Sequence, residues 1–513
     1  MNKKQYAHIL LFLIANYCLA QAPVIQWQQS YGGSGNDYAN DIKPTPDGGY
    51  IMVGSSTSSN GNATSNQGGA DFWVVKLNAA GTMQWQKSLG GTANDIARSV
   101  SNTTDGGYIV AGGTGSNNGN VSGNHGGLND YWVVKLDALG NIQWQKTYGG
   151  SNSEEAEVIQ TTGDGGYIIA GASNSNNGDV SGNHGGYDSW IVKIDATGNL
   201  LWQKSLGGNY TDEAEAFITT TDGGFIMAAL SNSNDGDVIG NQGSMDYWIV
   251  KLDANGNQQW QQSYGGSSGD EPTCIQNTAD GGYIVGGITS SNNGNVTGNN
   301  GLYDYWVIKL NSNGNLQWQT TLGGSSLDLA YGIQPTPDGG YIVAGASGSN
   351  NGNVTGNHGG YDGWVAKLNA NGILQWQKSI GSNASDGMAA LLNANDNGYI
   401  LVGYNSAANG DVTTNLGGAD CWVVKLYRDA LNNVTFKNKT ITICQNPTSD
   451  VLQWQTSGSS PITKIKIIDS NGKTVLEQYN NTNAISIAML ANGMYILEGY
   501  AENEKLTAKF IKK

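Results

Sequence analysis

The sequence predicts an all-β chain, a seven-bladed propeller followed by a small β-sandwich, and three observations lead there. Tryptophan recurs at two fixed phases with a period of 58 or 59 residues: Trp27, Trp85, Trp144, Trp202, Trp260, Trp318 and Trp376, each followed by Gln, and Trp73, Trp132, Trp190, Trp248, Trp306, Trp364 and Trp422. Such self-similarity is the signature of a repeat architecture. Composition agrees: 76 Gly, 25 Tyr and 15 Trp accompany only 13% charged residues, and the apolar segments are short and divided by Gly, Asn and Ser clusters. Finally, the two ends of the repeat series are complementary. The series opens on a lone fourth-strand segment, Ile25 to Tyr31, and its last unit stops after a third strand, Trp422 to Leu426.

Taken in order, the chain starts with Met1, Asn2, Lys3 and Lys4 and an apolar run from Ala7 to Ala20, the form of a secretory signal, so residues 1–20 are expected to be removed and Gln21 to begin the mature chain. No later stretch reaches the roughly 20 apolar residues of a membrane span. Each repeat then reads as four strands. In one unit these are Glu155 to Thr162, a turn at Gly163-Asp164-Gly165-Gly166, Tyr167 to Ala172, a long polar loop, Trp190 to Asp195, a turn at Ala196 to Asn199, and Leu200 to Leu206. Four antiparallel strands in about 40–50 residues make one propeller blade. The spare strand at the start supplies what the last unit lacks, so the ring is expected to close by strand exchange between its ends, leaving no orphan edge. The expected domains are a propeller over 21–429, a linker at 430–440 and a separate module over 441–513.

Alternation places Ile25, Trp27 and Tyr31 on one face of the fourth strand, so the repeated tryptophans are expected to pack blade against blade. The segment Tyr31-Gly32-Gly33-Ser34-Gly35-Asn36-Asp37, followed by Asp47-Gly48-Gly49-Tyr50-Ile51-Met52-Val53-Gly54, resembles the bacterial β-propeller repeats of large secreted proteins. That resemblance implies a fold more than an activity, because propellers host binding modules and enzymes alike.

Charge narrows the partners. The whole chain carries −16, and residues 21–432 hold 14 Lys and Arg against 35 Asp and Glu. Such a body repels phosphate backbones and makes nucleic acid an improbable partner, while cations and basic surfaces remain open. Cys274, Cys421 and Cys444 show neither a disulfide framework nor a zinc spacing, and Cys274 and Cys421 read as small buried hydrophobes.

Both tight hairpins of a four-strand meander lie on one face of the ring, and every long loop lies on the other, which is the expected binding face. Three features there are candidates. An acid stands before each first strand, at Asp37, Asp95, Glu154, Asp212, Asp270, Asp328 and Asp386, and these are expected to ring the channel mouth. A charged group in a packed strand needs a partner, so they are read as structural, paired across blades with Lys76, Lys135, Lys193, Lys251, Lys309, Lys367 and Lys425. A second acid lies two residues before each third-strand Trp, at Asp71, Asp130, Asp188, Asp246, Asp304, Asp362 and Asp420. It is read as a cap on local backbone N–H groups, with calcium as the alternative ligand. The third feature is His125, His184 and His358, which share one repeat position. With Tyr187, Tyr303 and Tyr361 nearby they form the candidate ligand-binding residues.

No H-E-x-x-H or P-loop occurs, and no acid or base is read as standing outside the repeat, so no catalytic residue, resident metal or cofactor is assigned. After Arg428-Asp429 the period ends, and short alternating segments from Val451 to Ile511 suit a small sandwich. Its landmarks are Asn446-Pro447-Thr448-Ser449-Asp450-Val451-Leu452, Ile468-Asp469-Ser470-Asn471-Gly472-Lys473-Thr474-Val475, Leu490-Ala491-Asn492-Gly493-Met494-Tyr495-Ile496 and the ending Lys509-Phe510-Ile511-Lys512-Lys513. In this order they resemble the type A sorting domain of the Bacteroidota type IX secretion system, with Asn446, Pro447, Gly472, Gly493, Tyr495 and Lys512 as motif residues. The resemblance implies export through the periplasm to the cell surface or the medium by the type IX machinery. The expectation is a monomeric, non-enzymatic surface propeller that binds glycan or protein. A secreted polysaccharide-active enzyme and a calcium-stabilised spacer are the alternatives.

Overall fold

A computed structural model describes residues 21–428, 441–444, 446–456, 462–479, 483–501 and 504–513. The expected signal peptide and the linker at 430–440 lie outside the described residues. The chain divides into two compact units, 1–430 and 431–513.

The first unit holds seven four-stranded antiparallel sheets. In the third of them the strands are Glu154–Thr161, Tyr167–Ser173, Asp188–Ile194 and Leu200–Leu206, within two residues of the limits read from the sequence. The seventh sheet is composite: Gly387–Asn393, Tyr399–Asn405 and Asp420–Leu426 take Ile25–Tyr31 as their fourth strand, with Tyr31 opposite Cys421 and Ser30 opposite Trp422. Each first strand neighbours the first strand of the next sheet, and Gly387–Asn393 neighbours Asp37–Pro44, so the seven first strands enclose an axis.

Seven apolar cores lie at the seven junctions between blades. The junction of the first and seventh blades buries Met52, Trp73 and Val75 against Ile400, Val402, Cys421 and Val423. Third-strand tryptophans are fully buried, and each indole Nε1 donates to the Gln that follows the fourth-strand tryptophan, as from Trp132 to Gln145 and from Trp190 to Gln203, both at 2.8 Å. Most fourth-strand tryptophans are half-buried and lie against a Tyr of the next blade, as Trp85 does against Tyr108 with ring centroids 5.9 Å apart. These contacts are what a face shared by adjacent blades demands. Cys274 and Cys421 are buried and unbonded, and burial pushes the Cys274 thiol up to about 12.

The first hairpin of six blades turns on Asp-Gly-Gly. Gly48 adopts φ +82°, and the Asp47 carboxylate accepts from the Gly49 N–H at 3.1 Å. In the last blade Asn397 occupies the left-handed position at φ +63°, which Asn tolerates better than other side-chain-bearing residues. The lysines pair here, not with the acids before the first strands: Lys76 meets Asp47 and Lys135 meets Asp105, both at 2.8 Å, and all seven repeat this pattern with the hairpin Asp of their own blade. The expected pairing fails because strand direction separates the groups. The acid opens the first strand at the long-loop end, whereas the lysine comes near the end of the third strand, beside the hairpin, several 3.3 Å rises away.

The second unit has two sheets, one of Ile441–Ile443, Val451–Thr456 and Ala484–Ser486 and one of Lys464–Asp469, Thr474–Tyr479, Gly493–Ala501 and Glu504–Lys512. Between them Leu452, Trp454, Ile465, Ile467, Leu497 and Phe510 are buried.

Candidate functional site

Asp37 and its six counterparts are fully buried within their blades and do not face the channel. Asp95 accepts from the Ser116 hydroxyl at 2.9 Å and the Gly91 N–H at 2.7 Å, and also from the Thr114 hydroxyl. Asp212 is held likewise by Ser233, Gly208 and Ser231. The donors come from the second strand and the loops of the same blade, so each acid ties the start of its first strand to the end of its second.

The second set of acids is also fully buried, and one carboxylate oxygen of each caps a backbone N–H: Asp71 accepts from Gln67 at 2.7 Å and Asp304 from Asn300 at 2.8 Å. The other oxygen, Oδ1 of Asp71, Asp130, Asp188, Asp246, Asp304, Asp362 and Asp420, has no hydrogen-bond partner. It points toward the acid that opens the next blade. A Cβ on Gly90 would lie 2.5 Å from Asp71 Oδ1 and 2.6 Å from Asp95 Oδ2, so only glycine fits between the two carboxylates. Burial, with the facing carboxylate adding to it, pushes Asp71, Asp246 and Asp304 up to about 6.

The candidate histidines belong to this arrangement. Nδ1 of His125, His184 and His358 lies 2.7 Å from Asp130, Asp188 and Asp362 in turn, each within its own blade. His125 also borders a cleft of about 490 Å³ with Gln145 and Asp179. The six candidate residues do not come together, and only Tyr361 reaches the large cavity of the ring.

That cavity, about 730 Å³, lies on the axis and is lined by the seven first strands. Along a first strand the residues one and three positions after the opening acid turn toward the axis, because side chains alternate. The first of these positions carries Tyr38, Ile96, Glu155, Glu213, Glu271, Leu329 and Gly387, and the second Asn40, Arg98, Glu157, Glu215, Thr273, Tyr331 and Ala389. Acids are therefore grouped on the third, fourth and fifth blades. Across the axis, Tyr38, Tyr331, Tyr361 and Tyr404 form an aromatic wall, in which Tyr38 meets Tyr404 edge-on with centroids 5.5 Å apart. The expectation that no charged residue stands outside the repeat is corrected by this ring: Arg98, Glu157 and Glu215 have no like-charged counterparts in most other blades. Nε of Arg98 lies 3.5 Å from Glu157. Burial pushes the Glu157 carboxyl up to about 7 despite Arg98, and burial together with neighbouring glutamates raises Glu213 and Glu215. Among the described residues no three His, Cys, Asp or Glu side chains converge on a point fit for a metal ion.

In the second unit the motif residues clasp the last strand. Asn446 Oδ1 accepts from the Ile511 N–H at 2.9 Å, and its Nδ2 donates to the Lys509 carbonyl at 3.2 Å, while Pro447 precedes Thr448, whose N–H donates to the Ile511 carbonyl at 2.9 Å. Gly472 turns at φ +80°, and Gly493 opens the strand in which Tyr495 stacks on Phe510 at 5.6 Å. Nearly buried Lys512 reaches Asp450 at 3.5 Å.

A propeller followed by a clasped C-terminal sandwich defines the class, an exported propeller that carries a secretion sorting domain. Residues 443–513 match the family described as the secretion system C-terminal sorting domain. That domain marks the chain for export by type IX secretion to the cell surface or beyond, and no helix among the described residues is long and apolar enough to cross a membrane. The chain is 24% identical over 388 residues to the regulatory protein FlaEY of Caulobacter vibrioides, a match covering 66% of this chain and 39% of that protein, so it spans well under half of that relative. Among solved structures it is similar to the extracellular domain of the hybrid two component system BT4673 from B. thetaiotaomicron, at 12% identity and TM-score 0.42, over 96% of this chain and 60% of that one. It is also similar to PorZ, a surface component of the type-IX secretion system of Porphyromonas gingivalis, at 11% identity and TM-score 0.29, over 91% of this chain and 68% of that one.

Proposed function

We propose that this exported propeller is a non-enzymatic binding module whose ligand sits in the axial cavity, reached from the long-loop face. One observation carries the reading. The two first-strand positions that turn toward the axis could have been identical in every blade, yet glutamates gather on the third to fifth blades and Tyr38 and Tyr331 stand on the first and sixth, whereas the positions that pack the blades are held nearly constant. Packing explains the constant positions and says nothing of the divided ones. A cavity with an apolar side and a few grouped polar residues is the form of a ligand site. The test is retention of the purified full chain on immobilised panels of glycans, peptides and amines, compared with a Tyr331→Ala/Tyr404→Ala variant. Loss of the retained class on substitution is expected. Retention of the variant equal to that of the native chain would move the site to the loops.

A second reading, calcium held between blades, is favoured by the seven buried Oδ1 atoms that lack a partner. Calcium takes several oxygen ligands, and each junction offers two carboxylates. Under this reading a chelator lowers the melting temperature of the full chain. An unchanged melting temperature removes it.

A further inference from the structure

We infer that the ligand of the axial cavity is a linear organic polycation, a flexible chain bearing several spaced alkylammonium groups; this rests on the binding role proposed above. Glu157 and Glu215 line the cavity from the third and fourth blades, and Glu155, Glu213 and Glu271 stand two residues before the second ring on the third, fourth and fifth. Positive charge on the lining is scarce. Lys43 is already engaged with Asp41 at 2.7 Å, and Arg98 approaches Glu157 alone, at 3.5 Å. With one guanidinium against five carboxylates, a neutral ligand leaves the like charges facing one another, and a cationic one relieves them.

The spacing of the acids selects the shape of that cation. Among the described residues no three carboxylates converge on one point, and the glutamates stand on three neighbouring blades, a distribution that charges spaced along a chain can match. Opposite stands the wall that such a chain requires. Tyr38 and Tyr331 are 37% and 43% exposed, and Tyr404, edge-on to Tyr38, lines the same cavity as Tyr331 and Tyr361. Tyrosine faces attract ammonium groups and cover the methylenes between them. A space of about 730 Å³ admits a chain of this kind with its water.

The test is calorimetric titration of the purified full chain with spermine at about pH 8, above the raised carboxyl of Glu157. Tetralysine, calcium chloride and neutral cellohexaose serve as parallel probes. Saturable one-to-one binding of spermine or tetralysine is expected, and whichever binds more tightly tells a free polyamine from a basic peptide. Glu157→Gln/Glu215→Gln should weaken it by about tenfold or more, the loss of charged hydrogen bonds, while the melting temperature holds or rises because like charges are removed. Affinity should also fall toward pH 6. A control for diffuse attraction to the acidic body is Asp137→Asn/Asp195→Asn/Asp253→Asn, at exposed turns where other blades carry Asn78, Asn311 and Asn369.

Equal weakening by the control and the cavity variant would overturn the inference, since the attraction would then be general. Binding of cellohexaose that Tyr331→Ala abolishes, with no binding of either polycation, would overturn the ligand class and leave the cavity in place. If no probe binds in a manner that depends on Glu157, Glu215 or Tyr331, both the class and the cavity reading fall.

Discussion

The indole Nε1 of Trp422 donates to Oε1 of Gln28 at 2.9 Å, across 394 residues of chain. It repeats, between the two ends of the ring, the bond that Trp132 makes to Gln145 within one blade. The exchanged strand therefore enters the seventh blade on the same terms as every other fourth strand. Replacing Gln28 by Ala should cost about 1–3 kcal/mol, because a buried indole N–H loses its partner, and Gln145→Ala should cost about the same. Deleting Ile25 to Tyr31 is a different matter, since it opens a sheet edge and uncovers the Trp422 core. Denaturant unfolding of the three variants checks the prediction, and a Gln28→Ala loss far above that of Gln145→Ala would show the joint to be a special site.

The pH response has two opposed parts. Asp71, Asp130, Asp246, Asp304 and Asp420 sit at about 6 in the fold, above their unfolded value, so the stability they add is complete below about pH 4 and is lost as the pH rises through 6. Asp47, Asp105, Asp164, Asp222 and Asp280 sit at about 2 beside their lysines, so their contribution is present above about pH 4 and is lost as the pH falls toward 2. Metal-free protein should therefore melt highest near pH 4 to 5, several degrees above its melting point at pH 7. A melting temperature that peaks at neutral pH would contradict the assignment of the facing carboxylates.

Gly314 and Gly281 separate backbone strain from crowding. Both lie at positive φ, near +80°, but a Cβ on Gly314 would come within 2.6 Å of the Trp260 ring, and one on Gly281 would meet nothing within 4 Å. Gly281→Ala should cost about 1 kcal/mol for the left-handed backbone. Gly314→Ala should add about 1–3 kcal/mol of overpacking. Thermal melts of the two variants provide the comparison.

Removing Asn446 to Lys513 takes away the sorting domain and leaves the seven blade junctions untouched. The truncated chain is expected to accumulate in the periplasm as a folded ring. Fractionation followed by limited proteolysis reports both location and fold, and truncated protein found on the surface would oppose the expectation.

Most of the fold could be read from residues that repeat. The two tryptophan phases located the strands, and the incomplete last unit located the exchanged one, because packing imposes the same demand seven times. Equal counts of lysines and opening acids suggest pairing between them, but strand direction, which puts Lys76 beside Asp47, decides otherwise. Glu157, Glu215 and Arg98 do not stand out in the sequence for the opposite reason. A search for periodicity discards the positions that vary, and the channel-facing ones vary most. The signal was present: reading the third residue after each opening acid in turn yields Asn40, Arg98, Glu157, Glu215, Thr273, Tyr331 and Ala389. What the letters did not show is which of these face one another across the axis.

Strand exchange also sets how the ring bears mechanical load. Asp420–Leu426, the last strand before the C-terminal unit, lies between Tyr399–Asn405 and Ile25–Tyr31 rather than at the sheet edge. If the chain is held by its C-terminal end and pulled, the load arrives on an interior strand whose two hydrogen-bonded ladders must slide together. Without the exchange the exit strand would be an edge strand that tension could unzip one bond at a time. The sequence that closes the ring thus also keeps the strand leading to the C-terminal unit away from a sheet edge.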